Sequence, residues 1–436
     1  MTLEPLCCPA GYKRLWTPAI TLWYFIWQWL QPRHTLEAVI ADARRGGADG
    51  LCPRGRPLAK RLVSKSTAGF SKARGRLSPE WVRQCFVQLA SLLARLAQPT
   101  APDMAVQLID GSTKRMRPQG DIPQQFPPHR TRRKTSYWCV GRLVVSYCAY
   151  TGLAMGALLA SIHVSEQALA VQLMLEAAQR VLYIGDRNFG VWRVVRAAVQ
   201  SGGHALVRLT QVRARKLLGK KRLPAFLDMP VLWTPTSHDQ VDQGLEKLPV
   251  AGRLIILKTR RPGFRALTLY LFTTLTDPAA YPPERLLELY GLRWQAELNF
   301  RTVKATLQMD QSEAKSAAMV LKEFYAGLMG YNLVRGCMVL AAQEAGCQPS
   351  QLSFSKVHIL LAQMLAEVFL TGISAPARLR RLVWMRAEAS AARLPRRRKR
   401  RPNEPRAQYY EPQVFPKMRG SRAEERLALK QAHQES

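Results

Sequence analysis

The chain has 436 residues, enough for two or three domains with a substantial buried core. Its 65 Lys and Arg against 30 Asp and Glu leave a net charge of +35, which calls for a polyanionic partner. Nucleic acid leads, because each phosphate contact releases counterions; a membrane surface is disfavoured by the lack of a lysine-rich amphipathic helix, and eight cysteines without a C-x2-C pair and seven histidines without zinc spacing argue against a structural metal and for reduced thiols.

Residues 17 to 97 read as helices. The run TPAITLWYFIWQWL is the longest apolar stretch. At about 14 residues it is too short to span a bilayer, and it lacks a cleavage-site pattern, so it reads as a buried aromatic-rich helix with no secretion signal. TLEAVIADARR follows, then a Gly- and Pro-punctuated basic connector. The next helix, SPEWVRQCFVQLASLLARLA, opens with an N-cap serine and a proline in its first turn. Residues 1–100 are therefore assigned to a helical N-terminal domain that touches DNA.

Two apolar runs of strand length end in an aspartate followed by glycine-containing turn chemistry: AVQLIDGST with Asp110 and VLYIGDRNFG with Asp186. Both carboxylates are expected at or just past a strand end. Between them, RLVVSYCAYTGLAMGALLASI reads as a hairpin turning at Thr151-Gly152, and a helix starts at Ser165. A helix from about Phe189 to Gln200 and the strand HALVRLT come next. From about 210 to 265 the chain is basic and Pro-punctuated, with β-like pieces such as VLWTP and RLIILKTR.

The stretch LLELYGLRWQAELNFRTVKATL is predicted to be one helix. It carries Tyr290, Arg293, Glu297 and Lys304 in the pattern Y-x2-R-x3-E-x6-K. At 100° per residue these four fall in a sector of roughly 60 to 100°, joined by Trp294 and Arg301, with the apolar residues clustered on another side. A bland reading makes Glu297 only an i,i+4 partner of Arg293 and Arg301. Together with Asp110 and Asp186, however, Glu297 completes a set of oxygen ligands suited to a hard divalent cation.

In these residues the chain resembles the DDE transposases of insertion-sequence family four. The likeness extends to LWTPAITLWYFIWQWL, STAGFSKARGRLS, DGST, GDRNFG, TRRPGFRALTLYLFTTLTD and KEFYAGLMGYNLVR, roughly residues 15 to 340. It implies an α/β fold: a ribonuclease H-like mixed-sheet catalytic core over 101–310, with a β-rich insertion at about 210–265. A helical C-terminal region at 311–392 and a basic, mostly disordered tail at 393–436 would follow.

The resemblance also implies that Asp110, Asp186 and Glu297 are catalytic and hold two Mg²⁺ ions, with Mn²⁺ as a substitute. Tyr290, Arg293, Lys304 and Arg301 would contact DNA, and Trp233 would stack on a displaced base. The implied partners are double-stranded DNA, as transposon ends and target, and a second copy of the chain in a homodimeric synaptic complex. The implied location is the cytoplasm, on the nucleoid.

Other chemistries find no support. There is no P-loop, no G-x-S-x-G elbow and no G-x-G-x2-G after a strand. The basic run beginning at His129 lacks the ordered Arg, His and terminal Tyr of a tyrosine recombinase and reads as phosphate-binding surface. Two alternatives stay open at this point: a ribonuclease H-like metal-dependent nuclease or resolvase that cuts without joining, and an inactive DNA-binding remnant.

Overall fold

The protein is described from a computed structural model covering residues 15–394, apart from 32–34, 53–55, 97–103, 131–134, 178–179, 240, 260–266 and 369–373, together with part of 421–431. The N-terminal helices are α1 (Pro18–Leu30), α2 (Leu36–Arg44), the short α3 (Leu58–Arg61), α4 (Ala68–Arg76) and α5 (Pro79–Leu96). Helix α1 starts where Thr17 Oγ1 accepts from the Ile20 amide at 3.3 Å and Pro18 fills the first position. Apolar on nearly every side, α1 is buried, and Tyr24 packs edge-on against Trp16 and Phe70.

The sheet region contains β1 (Ala105–Met116), α6 (Ile122–Gln125), β2 (Pro128–Arg130), β3 (Thr135–Cys148), β4 (Ala154–Ser161), α7 (Glu166–Leu175), β5 (Val181–Gly185), α8 (Trp192–Gln200), β6 (His204–Arg208), α9 (Gln211–Leu218), β7 (Leu227–Trp233), β8 (Val250–Thr259) and β9 (Leu267–Thr273). Then come α10 (Pro283–Gly291), α11 (Trp294–Arg301), the two-residue β10 (Gln311–Ser312), α12 (Ala317–Glu344), α13 (Phe354–Val368) and α14 (Ala375–Ala391). The strands form one mixed sheet in the order β2-β3-β1-β5-β6-β9-β8-β7, with β4 beside β3 and β10 beside β1. The pairs β1–β5 and β5–β6 are parallel, whereas β3–β4, β6–β9, β9–β8 and β8–β7 are antiparallel.

Alternation along the strands divides the core into two layers. Leu108, Leu182, Ile184 and Leu206 join the helices α1, α11 and α12 on one face. Ile109, Tyr183 and Val207 join α7 and α8 on the other. Every residue of β5 is buried, as a central parallel strand covered on both faces requires. The hairpin expected at Thr151-Gly152 is present, with Gly152 at φ 74°.

Three readings change. Asp110 is not at a strand end but midway along the twelve-residue β1. The β segments expected as an insertion at about 210–265 do not form a sheet of their own: β7 and β8 continue the main sheet through β9, whose Phe272 pairs with Val207 of β6. The helix predicted across residue 300 is broken. Around Gly291, Leu292 and Arg293 the amides bond three residues back, and a single π-helical turn follows at Thr302–Thr306. Glycine inside a helix costs roughly 0.5–1 kcal/mol relative to alanine, which makes Gly291 the natural place for the joint.

One compact unit comprises Met1–Thr259 and Leu267–Arg396. In a second, Arg260–Ala266 with Arg397–Ser436, the described residues include a helical piece in which Ser421 Oγ accepts from the Glu424 amide and the Glu424 carboxylate accepts from the Ser421 amide. The rest of the tail expected to be disordered lies outside the described residues, as do Thr131–Lys134 of the basic run after His129. Among the described residues no helix is long and apolar enough to cross a membrane.

Candidate active site

The site follows from how β1 is paired. On one edge β1 is hydrogen-bonded to β3 along most of its length, from Gln107 to Met116. On the other it pairs with β5 only as far as Ile109, opposite Gly185, and with β10 only from Arg115 onward. Among the described residues, 110–114 thus have no strand neighbour on that edge. Asp110 opens this gap, and Asp186, the residue after Gly185, leaves β5 at the same level. Adjacent strands lie about 4.8 Å apart, so the register alone makes the two aspartates neighbours. Both continue the alternation of Leu108 and Ile184, toward the face that α11 covers.

Helix α11 supplies the third carboxylate. Arg293 Nη2 donates to Glu297 Oε1 at 2.6 Å, so the i,i+4 pair of the bland reading is formed. The same guanidinium hydrogen-bonds the Tyr290 side chain and acts electrostatically on Asp110. Burial raises the Tyr290 hydroxyl above its usual value, opposed by Arg293 and Arg208. Asp110 is pushed up to about 6, chiefly by burial; Asp186 and Glu297 add to the rise, while the Gly111 amide and Arg293 counter it. The Gly111 amide donates to Asp110 Oδ1 at 2.9 Å, and the Asn188 amide donates to Asp186 Oδ1 at 2.8 Å.

Asp110, Asp186, Glu297, Tyr290 and Arg293 are therefore brought together. Lys304 sits further along, within the π-helical turn, where with Thr113, Phe300 and Val303 it lines a small void. Arg301 is exposed at the end of α11, and Trp294 is 45% exposed. Trp233 stands apart. It ends β7, four strands from β5 or roughly 19 Å across the sheet, and its ring packs edge-on against Phe272 at 4.9 Å. The ring is half-buried against the core.

Sequence reasoning missed Glu166, at the start of α7. Its Oε2 accepts from Asn188 Nδ2 at 2.7 Å, and its carboxyl group lies against Gly111 on the opposite face of the sheet from Glu297. The signal available was the glycine directly after Asp110. Among the described residues no three acidic, His or Cys side chains converge tightly enough to form a ready-made metal cluster. The donors available are nonetheless all carboxylate oxygens, the ligand chemistry of a hard divalent cation.

The family model of the transposase DDE domain matches residues 101–333, a span that includes Asp110, Asp186 and Glu297. The chain is 25% identical over 401 residues to the transposase InsG for insertion sequence element IS4 of Escherichia coli (strain K12), covering 89% of this chain and 84% of that protein. Among solved structures it is similar to the piggyBac transposase in a synaptic complex with hairpin DNA, at a TM-score of 0.40 and 12% identity, covering 84% of this chain and 76% of that one. The chain belongs to the DDE transposases, enzymes that cleave DNA and transfer its strands and that generally need divalent metal ions.

Proposed function

We propose that Asp110, Asp186 and Glu297 are the catalytic carboxylates of a cut-and-paste transposase, on a ribonuclease H-like sheet, and that they hold two Mg²⁺ ions, with Mn²⁺ able to substitute. The observation that carries this is the unpaired stretch of β1, where Asp110 meets Asp186 from β5 and Glu297 from α11 with Arg293 among them. A bound divalent cation supplies Lewis-acid polarisation of the phosphodiester and a lowered pKa for a bound water.

The chain's own groups account for the rest. Two half-buried aspartates whose charges oppose each other favour the entry of positive charge. Arg293 holds Glu297 until that carboxylate is needed, and its guanidinium is then free to pair with a phosphate. The Tyr290 hydroxyl, protonated at neutral pH, donates to the strand beside the cut. Arg301, exposed, and Lys304 extend the positive rim for the DNA backbone.

The helices of residues 1–100 bind the terminal inverted repeats. Two copies of the chain pair two ends in a synaptic complex, in the cytoplasm on the nucleoid. The test is cleavage of a duplex carrying the element's own ends, followed by joining to a target duplex, with Mg²⁺, Mn²⁺ or EDTA. Cleavage and joining are expected only with the metals. Robust cutting in EDTA would overturn the metal-bound reading, and cutting without joining would mark a nuclease.

A further inference from the structure

Gly111 follows Asp110 on β1 and points toward the layer of Ile109, opposite to Asp110. A Cβ built on Gly111 would fall 2.3 Å from Glu166 Cδ and 2.5 Å from its Oε2. Gly111 is not in the left-handed region, so its backbone does not require glycine. The missing side chain is the space that the Glu166 carboxyl group occupies.

From there Glu166 Oε2 accepts from Asn188 Nδ2 at 2.7 Å. The Asn188 backbone amide donates to Asp186 Oδ1 at 2.8 Å, which fixes the rotamer of that carboxylate. Gln167 supports the same loop, its Nε2 donating to the Asn188 carbonyl at 2.8 Å. Arg193 in turn donates to Gln167 Oε1 and to Ser165 Oγ, each at 2.8 Å. Glu166 also stands at the first turn of α7, behind the N-cap Ser165, where an acidic residue has a modest helix-stabilising effect. A purely capping role would leave its carboxylate free to turn to solvent. Instead the carboxylate bends back over Gly111 and onto Asn188.

We infer that Glu166 is a positioning residue of the DNA-cleaving site: through Asn188 it fixes the carboxylate of Asp186, and Gly111 is the opening that lets it do so. The role presupposes Asp186 as a cation-holding carboxylate. Groups that orient a metal-binding side chain typically contribute about 10- to 100-fold to metal affinity.

The experiment is a Mn²⁺ titration of the full-length protein without DNA, read by the paramagnetic signal of free Mn²⁺, with melting temperature measured in parallel. Glu166→Ala should weaken Mn²⁺ binding about 10- to 100-fold. Glu166→Gln, whose side-chain carbonyl can still accept from Asn188, should stay within about threefold of wild type, because the hydrogen bond rather than the charge carries the effect. Gly111→Ala, which displaces the carboxyl group without altering it, should reproduce the loss. Asn188→Ala combined with Glu166→Ala should be no worse than either alone, since both break one chain of contacts. Full Mn²⁺ affinity in a folded Glu166→Ala protein would overturn the inference, as would a Gln variant as weak as the Ala variant. Asp186→Ala is the reference: if it binds Mn²⁺ normally, the assignment of the site fails, whereas if it alone fails to bind, only the role of Glu166 does.

Discussion

The chain treats charge differently in two settings, one fully buried and one half-buried. Where α12 meets the N-terminal helices, Lys322 is 2% exposed, and its Nζ donates to the carbonyls of Arg74, Gly75 and Leu77 at 2.9, 3.1 and 3.1 Å. These are the end carbonyls of α4 and the residue after it, groups a helix cannot satisfy itself. Lys114, fully buried in β1, likewise donates to the carbonyls of Met309 and Gln311 at 2.7 and 3.0 Å. Each of these ammonium groups has its partners built into the fold. At the gap in β1 the balance is reversed: the half-buried Asp110 feels the charges of Asp186 and Glu297, and Arg293, which pairs with Glu297, is the cation that acts on it. Buried charge with a full set of partners fastens elements together, and half-buried charge short of partners marks where a ligand belongs.

The largest effect that could break this contrast is on catalysis. Asp110→Ala, Asp186→Ala and Glu297→Ala should each lower the rate of end cleavage by on the order of 10³-fold or more, the loss of several kcal/mol of charge stabilisation at the reacting phosphate. Binding of end DNA, measured by gel shift, should survive in all three. Full activity in any one would remove that residue from the site. Lys322→Met should show the opposite pattern: a stability loss of about 2–4 kcal/mol from three stranded carbonyls, seen as a lowered Tm, with cleavage per folded molecule unchanged. A Lys322→Met protein that melts like wild type would show those carbonyls to be satisfied otherwise.

How much of this could be read from the chain follows the same division. Strand-length apolar runs ending in Asp110 and Asp186 located two carboxylates, because period and turn chemistry are local signals. Their meeting depends on the β1–β5 register, which is not local. The gap in β1 was invisible because it is defined by where β5 stops and β10 begins. The run around residue 300 has unbroken helical periodicity apart from Gly291, so the joint and the π-helical turn did not show. Glu166 reads in sequence as an ordinary first-turn acid behind an N-cap serine, and only Gly111, across the sheet, reveals its position. Trp233 was expected to stack on a base; its half-buried ring meets Phe272 on β9, a neighbour that only the sheet order reveals.

Sharper than the loss of activity is a gain of stability. Burial, with Asp186 and Glu297 behind it, raises Asp110 from 3.8 to about 6. A carboxyl group with a raised pKa in the folded state contributes stability below its unfolded pKa, and that contribution is lost as pH rises through the folded value. At pH 7 the ionised Asp110 therefore burdens the metal-free protein. Asp110→Asn should remove the burden and raise stability at pH 7 by about 1–3 kcal/mol while abolishing cleavage. Added Mg²⁺ should stabilise the wild type and not the variant. If Asp110→Asn instead destabilises the metal-free protein, the shortage of partners at the gap is only apparent.

The smallest predicted effect tests the same imbalance by titration. A cation bound by Asp110 must displace its proton wherever the carboxyl group is protonated, so Mn²⁺ affinity should be flat above about pH 6 and fall by up to about tenfold per unit below it. With an ordinary carboxylate the fall would begin only near pH 4. Lys114 and Lys322, whose burial lowers each to about 8, stay protonated across this range and contribute no slope. Asp110→Asn should bind more weakly at pH 7 and lose the break at pH 6, which assigns the titration to that residue. A break that persists in the Asn variant would belong to another group, and an affinity independent of pH between 7 and 5 would mean that Asp110 does not hold the cation.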